Sequence, residues 1–600
     1  MGRDGESSMR PAGAKASAPA RARAVELAGA RGPASVKRRR SALTLVIPVA
    51  LFAALLSIAL ARSLALTNGR LVYTLDDAYI HMAMAKHFAS HGVWGVTPYE
   101  FSATSSSPLW TLLLAGIYAI SGPSELVPLA LNIVAALLLL WAAFRLLASR
   151  AAGAQAVSDS RSTLPLIALL AIVLFTPLVP LVMSGQEHTL HVLAVVLFAT
   201  AVARRWTHGS RMQGGTEEDR TRGDGRLALA FWVLPFLLVA IRYESLFLLL
   251  PVCLAFAWRR RYREAVLIGA LGMAPVILLG IVQTSNGASF LPNPLLRKAG
   301  LPFDDPARLA STLTGYRALR RLFVNPHLLA PALAALVWLA RRPEPSSASQ
   351  SPALVSRESP GRMLLFVFLV ALLLHLSFAE LGWFYRYEAY LVAFGIVALA
   401  LAVADVEARA PGPGHLGTLR AIKHRAPAVV LALLTLAAMG DRGVRAWIDA
   451  PRASANIFEQ QYQMGLFLRE RYAGAAVALN DIGAANFLAD LRCIDVYGLA
   501  DREVLSALRS KRYDVSAVDR IVRARKGRMA ILYPNWVRIP SSWERVGHWQ
   551  IERNVVNGGD LVAFYAIDPA EAPALARNLR DFAPRLPGTV RQGGAYLDAP

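Results

Sequence analysis

Cysteine is nearly absent from the 600 residues: Cys253 lies in an apolar run and Cys493 in a polar C-terminal stretch. Two such residues make neither a disulfide framework nor a thiolate metal site. Charge is scarce as well. Asp, Glu, Lys and Arg form 18% of the chain, against roughly 25% in a soluble globular protein, while hydrophobic residues form 55%. A single water-soluble domain is excluded. Acids are the scarcer sign, 41 against 64 bases, for a net charge of +23. The bases sit in short clusters between apolar runs and make no continuous basic face, a placement that speaks for membrane topology and against nucleic acid as a partner.

Residues 1 to 40 are rich in Ala, Arg, Gly, Pro and Ser without an apolar period, and are expected to be a disordered basic tail. The tail ends in Lys37, Arg38, Arg39 and Arg40, just before an apolar run from Ala42 to about Leu66. That run spans a bilayer needing about 20 residues, and its basic flank places the N-terminus in the cytoplasm. Ala59 and Ala61 also make a small-x-small site, but the run exceeds the roughly 7 to 15 residues of a signal-peptide core.

Ten further apolar runs follow, at 126–147, 164–183, 188–203, 227–241, 245–258, 265–284, 323–340, 363–379, 388–405 and 427–440. Another, 108–121, has the length of an interfacial or re-entrant segment. If it does not cross, the clusters Arg145/Arg150, Arg204/Arg205, Arg259–Arg261 with Arg263, Arg341/Arg342 and Arg420/Lys423/Arg425 all share the side of Lys37–Arg40, as the positive-inside rule asks. The expectation is a polytopic α-helical membrane protein with about 11 transmembrane helices. Its membrane domain occupies 41–440, with a long first outside loop at 67–125, and residues 441–600 form an extracytoplasmic domain. Ala476–Leu479, Cys493–Val496, Met529–Tyr533 and Leu561–Ile567 read as strands, with helical patterns at Phe458–Tyr472 and Val504–Leu508. This predicts an α/β or α+β domain.

The polar motifs then gather at one membrane surface. Asp76 and Asp77 open a run of helix formers that stops at Gly92, with Asp76 a candidate N-cap. One short acid suffices for a cap, so the pair is also a catalytic candidate. The stretch from His91 to Trp110, with Trp94, Tyr99 and Phe101, is dense in aromatics and hydroxyls, a composition that suits stacking on sugar faces or anchoring at the interface. Asp77 and His81 are four apart on one helix face, a spacing compatible with a divalent ion, whereas His81, His87 and His91 also read as solvated helix residues. Glu187 has no cation beside it in sequence and is a candidate for substrate or metal contact. Asp481 and Asp495, at strand ends, suit a turn or a glycan contact.

The segment DDAYI, followed by HG, an aromatic loop and TSSSPLWTLLLA, resembles the first outside loop of the GT-C superfamily of polytopic glycosyltransferases, and most of all the branch of the mycobacterial terminal arabinofuranosyltransferase. Ser184–Glu187 is similar to that family's SGxE turn, with Gln186 as a departure. Arg242-Tyr243-Glu244 is similar to its Arg-x-acid turn, and Leu291–Pro294 with Lys298 to its PNT…K loop, with Pro294 where Thr is usual. Asp481-Ile482-Gly483 and Asp495 to Asp501 are similar to a DIG…D..GL.D pattern.

The resemblance implies an inverting glycosyltransferase of a bacterial inner membrane. It would move a sugar, such as a pentofuranose, from a polyprenyl-phosphate donor to an envelope glycan, lipid or protein on the periplasmic side. Asp76 and Asp77 are its expected catalytic acids. Glu187, Arg242, Glu244, Asn293, Lys298, Arg386, Tyr79 and Trp94 are the expected donor-phosphate or substrate contacts, and Mg or Mn a possible cofactor with unknown ligands. Two other readings stay open on sequence: a transporter or flippase of a lipid-linked glycan, and a non-catalytic glycan-binding membrane protein.

Overall fold

The computed structural model describes residues 33–153, 163–208, 224–298, 306–341, 359–407 and 418–598. The expected N-terminal tail lies outside these up to residue 32, and Pro33 already begins the Pro33–Leu66 helix.

The apolar runs fold as helices. Ala42–Leu66, Leu126–Ser149, His188–Thr207, Tyr262–Ser285 and Pro360–Phe378 are long and apolar enough to cross a bilayer, and Tyr316–Phe323 with Pro326–Ala340, bent by 108°, makes a sixth if taken as one span. The expected eleven is therefore not reached by length among the described residues. Thr163–Phe175, Leu229–Ile241, Tyr243–Trp258 and Ala389–Asp405 are shorter apolar helices, below the ~20 residues that cross unaided. One reason is visible at Pro177, which divides the 164–183 run into Thr163–Phe175 and Leu178–Met183, since proline has no N–H to continue a helix. The run at 427–440 lies inside one long helix, Thr418–Ile457, which continues past residue 441 into the C-terminal part.

Helix ends sort by chemistry. At one end, Arg205 and Arg261 share Glu264, at 2.9 and 2.6 Å. The turns carrying Gln186, Arg242 and Arg386 meet at the other. Pro108–Ser121 is a 14-residue helix that buries Trp110, Leu114 and Tyr118 while exposing Leu112, Leu113 and Ile120. Its burial is one-sided, as a surface-lying segment requires.

The C-terminal part is a six-stranded sheet in the order β2-β1-β3-β5-β4-β6. β1 (Ala476–Leu479), β2 (Arg492–Asp495) and β3 (Met529–Leu532) are parallel, while β5 (Leu561–Ala566) runs antiparallel to β3 and to β4 (Glu544–Gln550), and β6 (Arg591–Gly593) pairs with β4. β1 and β3 are buried on both faces and so carry unbroken apolar runs that announce them in sequence. β4 reads Glu-Arg-Val-Gly-His-Trp-Gln and holds a bulge between Arg545 and Gly547, so no alternation betrays it.

The helix Asp76–His91 joins the two parts. Ile80 and Met84 enter the sheet core beside Phe467 and Leu479, while Tyr79 and Met82 pack with Trp110 and Tyr462. Each fully buried side chain of this size contributes about 1.5–3 kcal/mol. The helix stops at Gly92 (φ 69°), whose N–H reaches the Phe88 carbonyl, as expected. Its histidines depart from expectation: His81 and His87 are buried and only His91 is exposed, because this helix is covered on two sides rather than solvated.

Candidate active site

The helix starts at Asp76 itself, and Leu75 is its cap residue. Asp76 does not cap its own helix. Its two oxygens accept the N–H groups of Gly483 and Ala484, both at 2.8 Å, at the start of Ala484–Leu488. The loop acid therefore docks the C-terminal sheet onto the membrane part. A Cβ at Gly483 would lie 2.1 Å from the Asp76 carbonyl, so only glycine permits this approach.

Asp77 turns elsewhere. One of its oxygens receives Arg386 Nη2 at 2.5 Å and Lys298 Nζ at 3.2 Å. Burial alone raises its pKa, but the two cations outweigh that and hold the carboxyl well below the usual range. Arg386 is almost fully buried and also donates to Gln186 Oε1 at 2.9 Å and to the Tyr387 hydroxyl at 3.0 Å. Glu388 lies only two residues away in sequence. Glu388 is taken by Arg442 at 2.7 Å and by the Gly382 N–H at 3.0 Å. Those bonds, with Arg442 on the Tyr385 carbonyl at 2.8 Å, brace a loop in which Trp383, Phe384 and Tyr385 all have positive φ, a conformation costing about 1–3 kcal/mol per residue.

Arg242 pairs with Glu244 through two bonds and with Glu187 at 2.8 Å. Glu187 is fully buried and does not line the cavities described below. It supports Arg242, the cation that adjacent sequence lacks. The turn holding it needs Gly185 (φ 68°), where a Cβ would meet the Tyr73 ring at 2.4 Å.

Two cavities meet at Asp77. The first, of about 340 Å³, is lined by Arg242, Glu244, Arg386 and Lys298 and by the apolar Leu246, Phe247, Val276, Leu295 and Phe378. The second, of about 370 Å³, lies against the sheet domain and is lined by Asp76, Asp481, Gln461, Trp383, Tyr497, Trp536 and Asn557. Asp77, Lys298, Glu380, Tyr387 and Leu499 line both. A larger cavity of about 580 Å³, bordered by Asn293, Arg502 and Arg525, contains neither loop acid.

Asp481 Oδ2 accepts Gln461 Nε2 and the Tyr533 hydroxyl, each at 2.7 Å. Burial and the Asp481 charge raise Asp76 to about 8, against the pull of its two N–H donors. Burial also raises Asp481, against the pull of its Gln461 and Tyr533 donors. Asp495 accepts three backbone N–H groups at 2.6–3.1 Å and serves a turn.

Of the other expected contacts, Tyr79 is fully buried with its hydroxyl on the Tyr73 N–H. Trp94 packs edge-on to Phe88 at 5.4 Å. Neither lines the two cavities, because the first loop spends its aromatics on the domain junction. Asn293 is buried beside the larger cavity with its N–H on the Ala103 carbonyl at 2.8 Å. The residues missed from sequence are Gln186 as a partner of Arg386, Tyr387, and the sheet-domain aromatics.

A divalent ion does not fit the Asp77–His81 pair. Asp77 already faces two cations, and His81 Nδ1 is bonded to Thr111 Oγ1 at 2.9 Å. Among the described residues no three His, Cys, Asp or Glu side chains group as ligands.

Residues 455–565 match a family model described as a domain of unknown function, DUF8728. No curated protein matches the chain. Among solved structures, ArnT from Cupriavidus metallidurans bound to undecaprenyl phosphate is similar at 12% identity and TM-score 0.44, over 87% of this chain and 98% of that one. The oligosaccharyltransferase of Archaeoglobus fulgidus complexed with Zn and sulfate is similar at 12% identity and TM-score 0.42, over 86% of this chain and 73% of that one. The archaeal oligosaccharyltransferase AglB from the same organism, with an inhibitory peptide and a dolichol-phosphate, is similar at 12% identity and TM-score 0.39, over 87% and 74%. At such identities and TM-scores these likenesses carry no functional weight of their own.

Proposed function

We propose that this chain is an integral-membrane, inverting glycosyltransferase of the GT-C type, which moves a sugar from a polyprenyl-phosphate donor to an acceptor hydroxyl. The observation that carries the reading is the position of Asp77 on the lining of two cavities, one mainly apolar and holding Arg242, Lys298 and Arg386, the other holding Asp481, Trp383, Tyr497 and Trp536. The apolar cavity suits a prenyl chain, with Arg242, Lys298 and Arg386 around its phosphate. The polar cavity suits the acceptor. As the hydroxyl oxygen bonds to the anomeric carbon, the carbon–oxygen bond to phosphate breaks, the cations stabilise the departing phosphate, and Asp77 takes the hydroxyl proton. Asp77 is a weak base while two cations hold it. A bound phosphate competes for those cations and restores its basicity.

The finer reading is a pentofuranose such as arabinofuranose as the donor sugar and an envelope glycan, lipid or protein as acceptor. The protein would sit in a bacterial inner membrane with its N-terminus cytoplasmic and the sheet domain periplasmic. The test is transfer by purified protein in nanodiscs, supplied with radiolabelled polyprenyl-phosphate pentose or hexose and an envelope extract. Label moving into a non-prenyl product supports the reading. Label released only to water, or retained on every donor, contradicts it.

A further inference from the structure

We propose that residues 306–324 form an in-plane membrane anchor, at the surface that holds the candidate active site, whose partner is an anionic phospholipid layer. The inference needs only that the neighbouring helices span a bilayer, and it stands whatever reaction the site performs.

Two short helices build the segment, Pro306–Leu313 and Tyr316–Phe323, joined through Gly315 at φ 72°. Tyr316–Phe323 then meets the apolar Pro326–Ala340 helix at 108°. A helix close to perpendicular to a span lies along the bilayer surface. Arg321 fixes its level, donating to the Leu376 carbonyl at 3.1 Å and the Ala379 carbonyl at 2.5 Å. These carbonyls close the spanning helix Pro360–Phe378, whose negative end favours a cation.

The faces divide as a surface helix requires. Ala318 is buried. Tyr316, Leu319 and Phe323, spaced by three and four, share a face, and with Leu313 and Val324 each is more than half exposed. Such a stripe is unfavourable in water and stable at the acyl boundary. Lipid tails reach it already, since Pro326–Ala340 begins two residues beyond Val324. Charge in the segment has one sign: Arg308, Arg317, Arg320 and Arg321, with no acid between 306 and 324. Arg308 and Arg321 repel Arg317, and Glu380, paired with Arg321 at 3.3 Å, offsets one charge. Anionic headgroups answer the rest.

The test uses the full chain in nanodiscs of neutral or about one-third anionic phospholipid. Hydrogen exchange of 306–324 is expected to be at least about fivefold slower in the anionic discs. Arg317→Gln with Arg320→Gln should abolish that difference while thermal melts match wild type. Position is read by spin labels on Leu319→Cys, Phe323→Cys or Arg317→Cys, with Cys253 and Cys493 replaced by serine. Labels at 319 and 323 should meet oxygen in preference to a nickel chelate, about 5–10 Å deep, and the label at 317 the reverse. The exchange measurement keeps both native cysteines, so it decides the matter even where the labelled protein folds poorly. Exchange indifferent to lipid charge, or nickel access at 319 and 323 equal to that at 317, overturns the proposal. So does dipolar broadening between copies at 319, which would mark a second chain on the stripe.

Discussion

Removing the Asp76 carboxylate should loosen the sheet domain before it unfolds the protein. The carboxyl group accepts two backbone N–H bonds of 2.8 Å from Gly483 and Ala484, and a buried N–H left without its acceptor costs about 1–3 kcal/mol. Asp76→Ala leaves two such groups, for a loss of about 2–4 kcal/mol of docking, at the lower end of that range because the adjoining cavity lets water reach them. Asp76→Asn keeps one acceptor oxygen and sets an amide donor against the second N–H, for a loss of about 1–3 kcal/mol.

Hydrogen exchange read by mass spectrometry on residues 481–488 reports this directly. A loss of 2–4 kcal/mol speeds exchange there by about 30- to 1,000-fold, while peptides from Pro360–Phe378 stay as in wild type. The pH dependence follows from the same pair. Asp76 is raised in the folded state, so its contribution is fully present below its unfolded value and is lost as pH rises through about 8. Wild-type protection of 481–488, corrected for intrinsic exchange, should fall as pH rises from about 4 to about 8 and level off above that, and Asp481→Asn should flatten that fall. Unchanged exchange in Asp76→Ala refutes the docking argument.

Three further outcomes are expected. Arg386→Lys keeps the charge but loses the planar fork that reaches Asp77 and Gln186, so undecaprenyl-phosphate affinity by microscale thermophoresis should fall about tenfold. Glu187→Ala leaves Arg242 buried with only Glu244, and the melting transition should lose about 3 kcal/mol, the cost of breaking a buried pair. Gly483→Ala should reproduce the exchange phenotype of Asp76→Ala, because its Cβ would lie 2.1 Å from the Asp76 carbonyl.

What the chain reveals before folding follows the range of each interaction. Periodicity and apolar length are local, so the helices, β1, β3 and the stop at Gly92 can be read from the letters. The cluster of acids and cations at one surface is also legible, because basic loops fix which turns share a side. Pairings across hundreds of residues are not. Asp76 reads as a cap until the Gly483 N–H, 407 residues on, is seen on it. Arg386 chooses Asp77 over its neighbour Glu388 because Arg442 already occupies the latter. His81 and His87 carry no sign of burial, since what covers them is the sheet domain and the Pro108–Ser121 helix. β4 hides behind a bulge and polar residues.

The central claim is that Asp77, and not its neighbour, takes the acceptor proton. Single-turnover transfer with saturating donor, compared among wild type, Asp77→Asn and Asp76→Asn, tests it most directly. The account predicts at least a ~100-fold lower rate for Asp77→Asn with undecaprenyl-phosphate affinity undiminished, because the substitution frees Lys298 and Arg386. Asp76→Asn should keep a rate within about tenfold of wild type at saturating acceptor, its loss being one of docking. A rate for Asp77→Asn equal to that of wild type, or a collapse confined to Asp76→Asn, would contradict it.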